Sequence, residues 1–157
     1  MKASIFSFIV LAAFSCDTTV DKAATEPSVN SINGTWKLLT ATVIEKGDTT
    51  VTDYTKDRSF IKIINDSHFA FIQHDLNKGK DSAVAVFSAG AGTYLLQDSL
   101  YTEKLEYCNA REWEGHDFTF TMSISNDTLI QSGVEKIVSE GIDRINTEKY
   151  IRVRAKR

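Results

Sequence analysis

Residues 116–125, HDFTFTMSIS, alternate apolar and polar side chains: Phe118, Phe120, Met122 and Ile124 fall on one face, and Thr119, Thr121, Ser123 and Ser125 on the other. A period of two marks a half-buried strand, because successive side chains point to opposite faces of a sheet. The same reading predicts strands over 34–45, with Trp36, Leu38 and Ile44 on one side, and over 49–54, 59–64, 68–74, 82–88 and 92–97. It continues over 99–108, 127–136 and 147–154. In SLYTEKLEYC (99–108), Tyr101, Glu103, Leu105 and Tyr107 share a face and Cys108 lies on the opposite one. Turn chemistry separates the runs: EKGD, IND, NKGKD, QDS and SND, the last two short enough for tight hairpins. No segment sustains a helical period; NAREWEG (109–115) predicts one helical turn, and GVEKIVSEGID (133–143) a loop or hairpin. Together these predict an all-β, antiparallel up-and-down barrel of about eight to ten strands, whose closure removes exposed edges. A barrel of about eight strands is either filled by its own side chains or holds one small ligand.

The chain of 157 residues, 42% hydrophobic and 25% charged, suits one globular domain. Its N-terminal stretch reads differently. Lys2 precedes an apolar run, 3–14, too short to span a bilayer, and AFSC (13–16) follows it. This is the layout of a bacterial export signal over residues 1–15. Two processing routes cut the same bond. In one, Cys16 becomes a lipoprotein cysteine carrying diacylglycerol and a palmitate-type acyl chain; in the other, it is left as a free N-terminal thiol. The polar run at 17–33 holds the only proline and no period, and reads as a tether reaching on the order of 55 Å when extended. The expected organisation is a signal peptide (1–15), a lipid-anchored linker (16–33) and a barrel domain (34–157). Net charge is −3, and loss of Lys2 with the signal makes the mature charge more negative by one. No basic stripe suggests nucleic acid.

Four motifs resemble the lipocalin-like small lipoproteins of Gram-negative envelopes, a branch of the calycin barrels. NGTWKL (33–38) resembles the G-x-W opening of their first strand. GAGTYLL (90–96) followed by YTEKLEY (101–107) resembles their Gly-rich and Y-x-E strands. SNDTLIQSG (125–133) resembles a D-T-L hairpin, and EKYIR (148–152) the closing E-x-W-x-R pattern, with Tyr150 in place of tryptophan. The resemblance implies a lipocalin-like barrel with Arg152 packed on the indole of Trp36 at the closed end. It also implies an exported protein anchored in a membrane, most simply the outer membrane.

Candidate chemistry is sparse. His68 and His74 share a strand face, yet six residues apart puts them ~20 Å from one another, too far to share a metal. The sequence holds no CxxC, HExxH, nucleophile elbow or phosphate-binding glycine loop. The expectation is therefore no catalytic residue, no metal and no cofactor. Asp-Ser and Asp-Thr triplets at Asp81, Asp98 and Asp127 resemble an O-glycosylation signal of some envelope proteins, and are equally what turns prefer. Cys108 reads as an inert thiol.

What remains is an inward polar set. A carboxylate at position 103 inside an apolar face must find donors or stay protonated. Two readings stay open. Either Glu103 joins tyrosines and Arg152 in a closed network that fills the barrel, or these groups line a cavity for a small ligand. The second leads to the expected function, non-enzymatic binding of a small hydrophobic or amphipathic ligand. Trp36, Tyr101, Glu103, Leu105, Tyr107, Phe118, Phe120, Met122, Tyr150 and Arg152 form its candidate lining. The first leads to a structural or interaction lipoprotein, its partner another envelope protein met through its loops. The expected assembly is a monomer.

Overall fold

The computed structural model describes residues 31–154; the expected signal peptide, Cys16 and the expected linker up to residue 30 lie outside the described residues. Nine strands follow in order: β1 (Gly34–Glu45), β2 (Asp48–Asp53), β3 (Arg58–Ile64), β4 (His68–Asp75), β5 (Phe87–Gln97), β6 (Leu100–Cys108), β7 (Asp117–Ser125), β8 (Thr128–Ile137) and β9 (Ile142–Arg152). Every neighbouring pair is antiparallel, and β1 also pairs with β9 from Trp36 to Glu45. That pairing closes an eight-stranded barrel. The extra strand is β2, which runs in series with β3 along one edge of β1: β2 covers Thr40–Glu45 and β3 covers Gly34–Lys37.

The turns carry the chemistry their residues suggested. Lys46 and Gly47, both with positive φ, make the two-residue β1–β2 turn, the primed geometry that matches strand twist. Asp98 and Asn126 take the left-handed region in the two-residue loops before β6 and β8. The predicted helical turn is a short 3₁₀ turn, Arg111–Trp113.

Two bulges decide which faces meet the interior. In β1, Leu38 opposes Tyr150 and Thr40 opposes Lys149, so Leu39 is an extra residue; its carbonyl accepts from the Tyr54 N–H at 2.8 Å. A one-residue insertion flips every later side chain. Ala41 therefore points in, and Ile44, expected inside with Trp36 and Leu38, is exposed. In β6, Leu105 opposes Gly92 and Tyr107 opposes Ala91, leaving Glu106 unpaired. Tyr107, expected inward, is consequently 65% exposed, while Cys108, expected outward, is buried. One other expectation fails: residues 82–86 are turn and irregular chain, and the strand begins at Phe87 and runs unbroken through 97.

One end of the barrel is packed solid. Trp36, Leu38, Phe69, Tyr101, Leu129 and Tyr150 are fully or almost fully buried there. Arg152 seals it: its guanidinium carbon lies 4.0 Å from the centre of the Trp36 ring, and it donates to the carbonyls of Asn33 at 2.7 Å and Ser31 at 2.5 Å. The Trp36 indole N–H donates to the Ile32 carbonyl at 2.8 Å. Residues 31–33 are thus drawn across the closed end by two side chains from opposite ends of the domain.

Candidate functional site

Above the packed end the barrel is hollow. A cavity of about 400 Å³ opens toward the end where β1 meets β2, β8 meets β9 and the 3₁₀ turn sits. The space follows from residue size. Beside Glu148 of β9 stands Ala41 of β1, so that wall position carries only a methyl group; Gly133 of β8, beside Asn146, instead lets the Phe120 ring and the Thr119 carbonyl pack against it.

The floor is an ion pair. Lys62, from the centre of β3, is 2% exposed, and its Nζ donates to Glu103 Oε1 at 2.6 Å and to Gln131 Oε1 at 3.0 Å. Its ammonium also lies 5.7–5.8 Å from the ring centres of Phe69, Tyr101 and Tyr150, within reach of cation–π attraction. A buried ammonium survives only with such partners. The partner of Glu103 is therefore a lysine and not the tyrosine or Arg152 expected from sequence. The Tyr101 hydroxyl sits near Glu103 but makes no hydrogen bond of ordinary geometry, and burial with the Glu103 charge pushes its pKa far up.

One wall is polar. On β9, alternation turns Arg144, Asn146, Glu148 and Tyr150 inward in sequence from mouth to floor. Tyr150 donates to Glu148 Oε2 at 2.7 Å, and burial raises the Glu148 pKa against the opposing pull of Lys62. Nearer the mouth, Glu135 of β8 accepts from Arg144 Nε at 2.6 Å and from Asn146 Nδ2 at 2.9 Å. The facing walls are aromatic. Phe60 and Phe71 stack with centroids 5.8 Å apart, and Phe118 and Phe120 come from β7.

The loop between β6 and β7 carries Trp113 to the rim. Leu105 N–H donates to the His116 carbonyl, and Cys108 N–H donates to Glu114 Oε1 at 2.7 Å. The loop is thereby folded back over the strand ends, placing Trp113 against Phe118 at 5.6 Å and under the Arg144 guanidinium at 5.1 Å. Cys108 lines the cavity, where burial pushes its thiol pKa up.

Of the ten lining residues expected from sequence, Glu103, Leu105, Phe118, Phe120 and Tyr150 face the cavity. Trp36, Tyr101 and Met122 are buried in the packed core, Arg152 caps the closed end, and Tyr107 points outward. Sequence reasoning missed Lys62, Gln131, Glu135, Arg144 and Asn146 as a set. A signal for Lys62 was present, because SFIKII puts a lysine in phase with Phe60 and Ile64, on the buried face. Among the described residues, no group of three or more His, Cys, Asp or Glu side chains is placed to hold a metal. No family model and no curated protein matches this chain.

Proposed function

We propose that this protein is a non-enzymatic carrier whose lipocalin-like barrel binds one small hydrophobic or amphipathic molecule, and that it is exported and held at a membrane through acylated Cys16. The observation that carries the reading is the half-enclosed cavity of about 400 Å³, within the usual range for small-molecule sites. Its division into aromatic walls and a polar floor suits a ligand with an apolar body and a polar head. A filled barrel acting through its loops would have no use for such a hollow.

The two tryptophans supply the test. Trp113 stands at the cavity and Trp36 is sealed at the closed end. The neutral probe N-phenyl-1-naphthylamine, titrated into the purified protein, should accept energy from Trp113 in a saturable 1:1 manner. Trp113→Phe should remove most of the transfer, and Ala41→Phe or Val43→Phe, which fill the cavity, should weaken binding at least tenfold. Absence of saturable binding, or binding indifferent to cavity filling in folded variants, would return the protein to the loop-acting alternative.

A further inference from the structure

The cavity's charges do not cancel. Its ionisable lining holds Lys62 and Arg144 against Glu103, Glu135 and Glu148. Both cations are already engaged, Lys62 with Glu103 and Gln131, and Arg144 with Glu135. The remaining carboxylate, Glu148, accepts one hydrogen bond, from the Tyr150 hydroxyl, and no ammonium or guanidinium among the described residues forms a salt bridge with it. Such a group inside a barrel is short of donors.

Its neighbour two positions along the strand is short of one as well. Asn146 is 7% exposed, and its Oδ1 is buried without a hydrogen-bond partner among the described residues. The orientation of that amide is fixed. Glu135 can only accept, so Nδ2 must face it, and Oδ1 is turned to the other side. Residues i and i+2 of a strand stand on one face about 7 Å apart. Glu148 and Asn146 thus present two acceptors on one wall; Ala41 beside Glu148 leaves room, while the Phe120 ring covers Gly133 beside Asn146. Opposite stand Phe60, Phe71, Phe118 and Phe120, whose ring faces favour a cation over an anion.

We propose that the head group the cavity recognises is a protonated amine, its N–H donors shared between the Glu148 carboxylate and Asn146 Oδ1, with a short aromatic or aliphatic body against the phenylalanines. This rests on the carrier reading above and narrows it to a ligand class. A carboxylate-headed ligand would meet an unpaired anion, because Lys62 and Arg144 are neutralised already. A neutral alcohol would satisfy one acceptor at most with its single hydrogen. An ammonium satisfies both and balances the charge.

Three probes of the same body separate the alternatives: 2-phenylethylamine, 2-phenylethanol and phenylacetate, each titrated calorimetrically into the purified full chain. The expected order is amine, then alcohol at least tenfold weaker, then phenylacetate without measurable binding. In Glu148→Gln the amine-to-alcohol affinity ratio should fall toward one. Asn146→Leu, similar in size, should lower the ratio three- to tenfold and serves if the first variant fails to fold. Alcohol or phenylacetate binding as tightly as the amine, or a ratio unchanged in both folded variants, would overturn the amine assignment and leave the carrier reading standing. Absence of amine binding overturns the assignment too, and failure of N-phenyl-1-naphthylamine alongside it would bring down the carrier reading as well.

Discussion

Lys62 is the side chain whose placement is hardest to explain by burial alone. Fixing an ammonium inside a barrel costs several kcal/mol of desolvation, which its partners must offset. Glu103, Gln131 and three ring faces do so together. Removing one member leaves the other charge stranded. Lys62→Met should lower the unfolding free energy by about 3–5 kcal/mol, the cost of an uncompensated buried carboxylate. Lys62→Met combined with Glu103→Leu should recover most of that loss. Urea titration of the two variants checks it; a single variant as stable as the parent would mean that the pair contributes nothing. The floor of the cavity is in this sense a fixed platform, and the freedom to meet a ligand lies with Glu148 and Asn146 above it.

At the scale of elements, the bulges do more than the strands to shape the site. Glu106 is unpaired in β6 because Gly92 lets the two backbones approach. A Cβ at position 92 would lie 1.8 Å from the Lys104 carbonyl oxygen, a contact no side chain can occupy. Gly92→Ala should therefore separate β5 from β6 and cost about 3 kcal/mol or more, the upper range for forced overpacking. The same change should move Cys108 off the cavity wall and increase its reaction with a small thiol reagent. If stability and Cys108 reactivity both stay at parental levels, the bulge does not depend on that glycine. The β1 bulge at Leu39 has the matching effect: it brings Ala41 inward, where a larger residue would close the cavity.

The whole molecule is a barrel packed at one end and hollow at the other, and its stability should report on the hollow half. Glu148 carries a raised pKa in the folded protein, from burial first, with Glu135 and Glu103 adding to it and Lys62 and the Tyr150 hydroxyl opposing. A carboxyl with a raised folded pKa stabilises fully below its ordinary value of 4.5, and that stabilisation is lost as pH rises through the raised value. The melting temperature should therefore decline from pH 4.5 toward neutrality, and Glu148→Gln should flatten the decline. Asp75 acts in a separate window. Its pKa is lowered by N–H bonds from Gly79 and Val86, so its contribution is lost only as pH falls below its ordinary 3.8. Parallel melting profiles for the parent and Glu148→Gln would show that Glu148 is as solvated folded as unfolded.

The order of elements was written in the sequence because alternation and turn residues are local: FTFTMSIS could only lie half-buried as a strand, and Lys46-Gly47 and Ser125-Asn126-Asp127 could only turn. On the last strand Tyr150 competed with the apolar face of Ile145, Ile151 and Val153, whereas Trp36, Phe118, Phe120 and Glu103 were legible as inward by the same alternation. Their division between packed core and cavity was not, because depth along a barrel is set by strand tilt and stagger, to which a period of two is blind. The orientation of Tyr107 and Ile44 was hidden too, since a single unpaired residue reverses a face and leaves no mark in composition. The union of Lys62 with Glu103 and Gln131, separated by 41 and 69 residues from the lysine, exists only once β3, β6 and β8 curve around a common axis. Local pattern determined that there would be strands and which faces were apolar. Closure alone decided which polar side chains meet inside, because only closure brings distant strands within a hydrogen bond of one another.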